Sequence, residues 1–335
     1  MQLDELALVV GPQDAPAAAR RAEEEGFAGW FAAETAHDPF LTLAMAATTT
    51  ERITLGTGIA VAFARSPMDV AQSADDLQRL SGGRFVLGLG SQVQAHVTRR
   101  FSMPWSAPAA RMEEFIAACK AIWAAWHDGT RLDFRGEFYE HTLMTPFFTP
   151  PPHGHGAPPV WLAAVGPLMT ATAGRVADGL LCHSFTTERY LREVTLPALH
   201  DGVDAAGRDR AEVGVGLGVF VVSGHDEQER DQAAAFVRGQ VAFYGSTPAY
   251  RRVLELHGWE QLGVELTALS KQGRWEEMAA LVDDEVLDAF AVVADPADVG
   301  PAIADRFGDV VDRVNLYTTF RPTPDEREAM RDAIA

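Results

Sequence analysis

Cysteine is nearly missing: Cys119 and Cys182 are the only two in 335 residues, they lie far apart, and no Cys-x-x-Cys spacing exists. This rules out a disulfide framework and a cysteine-based zinc centre, and it suits a reducing compartment. Long apolar runs are missing too, since none approaches the roughly 18 residues that a membrane-spanning helix needs. Positive charge is scarce, with 28 Lys and Arg against 47 Asp and Glu for a net charge of -19, and no basic cluster exceeds short pairs such as Arg99-Arg100. A chain of this sign is a poor partner for nucleic acid or an anionic membrane. The opening MQLDELALVV is acidic and runs straight into a strand pattern, unlike a secretory leader, so a cytoplasmic protein is expected. There is no Gly-x-Ser-x-Gly elbow, Walker loop or His-Glu-x-x-His pair, which leaves hydrolase and phosphoryl-transfer chemistry without local support.

What the chain does have is rhythm. With 47% hydrophobic residues it can bury a large core, and strand and helix patterns alternate along most of it. Residues 53–92 show the unit most clearly. The β-branched run 53–61, interrupted by Gly56 and Gly58, predicts a buried strand that distorts before its end. Ser66-Pro67 opens a helix whose apolar face is Val70, Ala74, Leu77 and Leu80, and Ser81-Gly82-Gly83 stops it. Residues 84–90 form the next strand and end in a glycine-rich turn. The same reading places strands at 3–10, 27–33, 160–164, 179–182, 212–222 and 313–318. It places helices at 12–25, 40–50, 107–127, 188–206, 226–243 and 296–307, and another from Pro167. Eight parallel strands with crossover helices predict an α/β chain closed as a (β/α)8 barrel, whose sites sit at the carboxyl ends of the strands. One domain spanning 1–335 is expected, with helical and loop excursions at about 91–158 and 244–285. The loops of those excursions are rich in Pro and aromatics, as lids and binding loops often are.

Candidate site residues follow from strand ends. Gly88, Gly90, Ser91 and Gln92 close the fourth strand and offer backbone amides to an anion, or simply a tight turn. Gly166, Pro167 and Leu168 follow the fifth strand and open a helix whose first amides are free for phosphate. His37 follows the second strand and is placed at the mouth, as a proton donor or acceptor or as a cap for the next helix. Glu34 and Asp38 flank it and suit structural ion pairs. His183, after the sixth strand, is a second candidate. His153 and His155 stand in a Pro/Gly context with no acidic partner nearby in sequence, so no metal is expected. Phe63, Phe101, Trp105, Phe147 and Phe148 cluster near the predicted mouth and wall a pocket, or fill core.

Several of these stretches together resemble a known family. FAGWFAAETAHD, LGTGIAVAFARSP, DLQRLSGGRFVLGLGSQ, the PAARMEEF helix and GPLMTATAGRVADG are similar to bacterial luciferase-like oxidoreductases, and more narrowly to the branch that depends on coenzyme F420. The resemblance implies a homodimeric luciferase-like TIM barrel that holds a deazaflavin in its mouth, with the phosphate near the ends of strands four and five. It also implies that His37 lies beside the ring, and that a non-prolyl cis peptide at Gly58-Ile59 backs the ring. Phe63, Trp105, Phe148 and His183 are then expected around a small organic substrate. One position departs from the sugar-phosphate dehydrogenase branch, where the glycine loop runs on to a catalytic glutamate; here Gln92-Val93 stand instead. The expected activity is hydride transfer between F420 and that substrate. Two alternatives stay open, an FMN-dependent monooxygenase and a catalytically silent flavin-binding barrel.

Overall fold

Short runs of β-branched and small residues give eight parallel strands in the structure, a computed structural model that describes residues 1–335. They are β1 (Gln2–Ala7), β2 (Gly29–Ala32), β3 (Thr54–Thr57, resuming at Ala60–Val61), β4 (Phe85–Gly90), β5 (Val160–Ala164), β6 (Gly179–Cys182), β7 (Gly214–Val222) and β8 (Arg313–Tyr317). Each pairs in parallel with the next, and β8 returns to β1 through Arg313 opposite Gln2. The sheet is therefore a closed (β/α)8 TIM barrel.

Five of the helices between the strands start at a proline in the first turn, two of them also with a side-chain cap. In α1 (Ala15–Glu24) and α2 (Pro39–Ala47), Pro stands in the first turn, and Asp38 Oδ1 accepts the amides of Phe40 and Leu41 at 2.9 and 3.1 Å. Ser66 Oγ accepts the Asp69 amide at 3.1 Å to open α3 (Pro67–Leu80), and Gly82 and Gly83 leave it with positive φ. α4 (Pro108–His127) and α5 (Pro167–Val176) follow the same N-terminal Pro rule. The main core is continuous from the barrel interior into this helix layer, with Trp30, Leu43, Leu55, Leu87, Phe115 and Trp123 fully buried. A second, smaller core lies under the 244–290 helices, where Phe185, Phe220, Val241, Leu254 and Phe290 meet.

Five features differ from expectation. Residues 188–206 do not form one regular helix: a π turn at Leu191–Thr195 interrupts it just before Pro197, whose ring and missing N–H break the ordinary ladder. The glycine loop after β4 does lead to a helix, the short Gln94–Arg99, and the first excursion contains a small hairpin, Phe134–Arg135 with Glu140–His141. That hairpin forms because Glu114 on α4 accepts the amides of Glu137, Phe138 and Tyr139. An extra strand, Ala291–Val293, pairs with the outer end of β7. A last helix, Pro324–Ile334, follows β8, started by a capping box between Thr323 and Glu326. No helix is long and apolar enough to cross a membrane.

Candidate functional site

The carboxyl ends of the strands open on one cavity of about 1050 Å³. Every barrel strand contributes to its lining, from Leu6 on β1 through the Gly58-Ile59 break in β3 to Tyr317 on β8. Its floor rests on a bidentate ion pair across the barrel closure, with Arg313 Nε and Nη2 donating to Asp4 at 2.8 and 2.6 Å. Burial pushes the Asp4 carboxyl up, against the pull of Arg313.

The wall formed by β3 and β4 is built from glycine. The Gly58-Ile59 peptide is cis. A Cβ at Gly58 would lie 2.9 Å from Leu6 Cδ1, and one at Gly90 would lie 2.8 Å from Ile59 Cδ1. The two glycines therefore let the apolar side chains of Leu6 and Ile59, both in the cavity lining, pack directly against the strand backbone. Ser91 and Gln92 continue the wall. Gln92 has a φ of 59°, in the left-handed region that a side chain rarely adopts, and its Oε1 accepts the Val93 amide at 2.9 Å.

Across the mouth, α5 begins at Gly166 with no side chain capping it. Its first amides therefore face solvent and cavity, where helix polarity favours an anion. Nothing lies within 4 Å of a Cβ placed at Gly166. Gly166, Pro167 and Leu168 all line the cavity, and the Leu168 side chain is 77% exposed.

His183 and Trp105 also lie in the wall. His183 Nδ1 accepts the Phe185 amide at 2.9 Å, which leaves the hydrogen on Nε2. Burial among Tyr244 and Tyr250, whose rings stand 4.6 and 4.9 Å from its own, lowers its pKa to about 4. The imidazole is thus a neutral donor. Tyr244, Tyr250 and Tyr317 all line the cavity, and burial raises the pKa of Tyr244 and Tyr250. Sequence reasoning missed these three tyrosines and Arg252 because they come from the second excursion and the last strand, and no motif marks them. Asn315 Oδ1, also in the wall, is buried with no hydrogen-bond partner.

Four expected residues stand elsewhere. Gly88 is inside the sheet, where its carbonyl accepts Thr57 Oγ1 at 2.6 Å and a Cβ would fall 1.9 Å from the Thr57 carbonyl oxygen. It serves strand contact rather than the cavity. Phe63 is fully buried behind the wall, edge-on to Trp105 at 5.8 Å. Phe148 is 65% exposed on an outer loop against Phe147. His37 is exposed at the rim, its ring over Gly11, and is not part of the cavity lining. It does not cap α2, because Asp38 does. Glu34 and Asp38 both hold Arg65, each at 2.7 Å, so that arginine's charge is already paired. His153 does have an acidic partner, Asp75 from α3 at 3.1 Å.

The sequence model of the luciferase-like monooxygenase family matches residues 4–313. An uncharacterized protein of Mycobacterium tuberculosis is 54% identical over 292 residues, covering 87% of this chain and 86% of its own length. The 5,10-methylenetetrahydromethanopterin reductase of Methanolobus tindarius is 30% identical over 285 residues, covering 84% of this chain and 82% of that protein. Among solved structures, the coenzyme F420-dependent tetrahydromethanopterin reductase of Methanopyrus kandleri shares the fold, with a TM-score of 0.79 at 22% identity over 98% of this chain and 96% of that one.

Proposed function

The chain belongs to the luciferase-like monooxygenase family, and from that membership we propose that it is an oxidoreductase using coenzyme F420 on a small organic substrate. The observation that carries the reading is that the free amino end of α5 and the apolar Gly58-Ile59 wall open on one cavity. A planar ring needs the second, and a phosphate-bearing chain needs the first.

The residues present fit such a group. Gly90, Ser91 and Ile59 offer a flat wall for the ring, and the Leu168 and Met169 amides offer donors for a phosphate. Asn315 Oδ1, buried and unpartnered, is an acceptor for a ring N–H. When bound, the deazaflavin supplies hydride transfer. The protein orients it, and the apolar walls exclude water. His183, in the cavity lining, has a neutral Nε2–H free to donate to a ligand. His37, at the rim, is proposed as the proton partner that exchanges with solvent.

Incubating the purified chain with reduced F420 and a panel of ketones, alkenes and imines tests the activity. Oxidation of the cofactor that depends on one substrate class is expected. Retained cofactor with no turnover across the panel would favour the silent barrel. Because the same helix end would suit the single phosphate of FMN, oxygen consumption with reduced FMN is the matching test of a monooxygenase.

A further inference from the structure

Away from the mouth, near the amino-terminal ends of β4 and β5, three side chains from separate segments converge. Asp75 comes from α3, His127 is the last residue of α4, and His153 comes from the loop that leads into β5. Asp75 Oδ1 lies 2.8 Å from His127 Nε2 and 3.1 Å from His153 Nε2, and the three ligand atoms all fall within 4.8 Å of one another. The His127 and His153 rings meet edge to face at 4.9 Å, and His155 stacks on His153 at 5.4 Å. Asp75 is 2% exposed, and its second oxygen, Oδ2, is buried with no hydrogen-bond partner. A buried carboxylate oxygen without a partner is costly, so the cluster as it stands has an unfilled acceptor.

We propose that Asp75, His127 and His153 bind a zinc ion that fastens the first excursion to the outside of the barrel. Two imidazole nitrogens and one carboxylate oxygen are a donor set for zinc, whereas calcium and magnesium take oxygen. With metal bonds of about 2.0–2.2 Å, the two short separations correspond to ligand angles of about 80 to 100°, so both histidines draw back from Asp75 by a few tenths of an ångström to reach the roughly 109° of a four-coordinate zinc. Asp75 Oδ2 or a water completes the coordination. A second cavity, of about 460 Å³ and lined by His127, Lys120, Asp128 and Asp178, gives the ion a route in.

Capture also moves the ring hydrogen of both histidines, which now face Asp75 through Nε2, to Nδ1. His153 Nδ1 accepts the His155 amide at 3.2 Å. The His155 amide must then turn away, which the flanking Gly154 and Gly156, both at positive φ, allow. None of the three ligands lines the mouth cavity, so the ion acts on stability and not on the cofactor.

The test uses the untagged full chain, loaded with zinc and dialysed against metal-free buffer. One retained zinc per chain is expected, with a melting temperature that falls when a chelator is added. Cobalt(II) in place of zinc should give the strong visible absorption of a four-coordinate site. His153→Ala should lower zinc affinity roughly tenfold or more, while His200→Ala, at an exposed histidine, should leave it unchanged. Retention of zinc by His153→Ala overturns the site, as does a wild-type chain that keeps no zinc. If His153→Ala fails to fold, the cobalt spectrum of the wild type decides alone, and a weak six-coordinate spectrum or none overturns the proposal.

Discussion

His183 carries a pH signature. Burial holds its pKa at about 4 against the usual 6.5, because charging an imidazole away from water is costly. The unfolded chain therefore takes up a proton near 6.5 and the folded chain only near 4. Above 6.5 the group is neutral in both states and contributes nothing. Stability falls as pH drops through that window, by on the order of 3 kcal/mol, and then levels off. In denaturant melts run across this range, His183→Gln should flatten that part of the curve; parallel curves for the two proteins would remove the burial argument. For His37 the expectation is a split between activity and stability. Its side chain is exposed at the rim, so His37→Ala should leave the melting temperature within about a degree or two while lowering turnover about 10² to 10⁴-fold if it is the proton partner. Full activity in the variant would leave His37 a rim residue. At this scale the sequence was legible where close packing demanded a residue, as at Gly58, where a Cβ would meet Leu6. It misled where one glycine served packing and its neighbour the cavity: Gly88 and Gly90 look alike in the chain, and only the Thr57 contact separates them.

Among the elements, α5 allows a test in which stability and affinity part. Gly166 has a φ of -90° and open space around it, so an aspartate fits there without strain and caps the helix. Gly166→Asp should keep or raise the melting temperature yet weaken cofactor binding roughly tenfold, through a like charge at the anion site. Unchanged affinity, measured by fluorescence titration, would move the phosphate elsewhere. Gly88→Ala is the opposite case, since its new methyl would meet the Thr57 carbonyl on the neighbouring strand. A loss on the order of 3 kcal/mol is expected from that overpacking, read as a lower urea midpoint; a neutral result would show that β3 and β4 can separate at no cost. Strand positions were readable because buried parallel strands are short apolar runs bounded by Gly and Pro. The π turn before Pro197, the Glu114-held hairpin and the strand Ala291–Val293 were not, because each depends on a partner distant in sequence.

For the whole molecule, barrel closure brings Arg313 back against Asp4 and sets a floor beneath a cavity that all eight strands share. Alternation alone predicted that closure. It did not predict which cations face the mouth, since Arg252 enters from the second excursion. A net charge of -19 works against any polyanionic ligand at long range, so affinity must come from the α5 amides and the few cations near the mouth. Titration of the purified chain with F420 and with FMN, at low and high salt, tests the central claim. The account predicts about micromolar or tighter binding of F420 that weakens as salt screens its charged tail, with FMN weaker and less salt-dependent. Preferential retention of FMN, or no F420 binding at either salt, would contradict it.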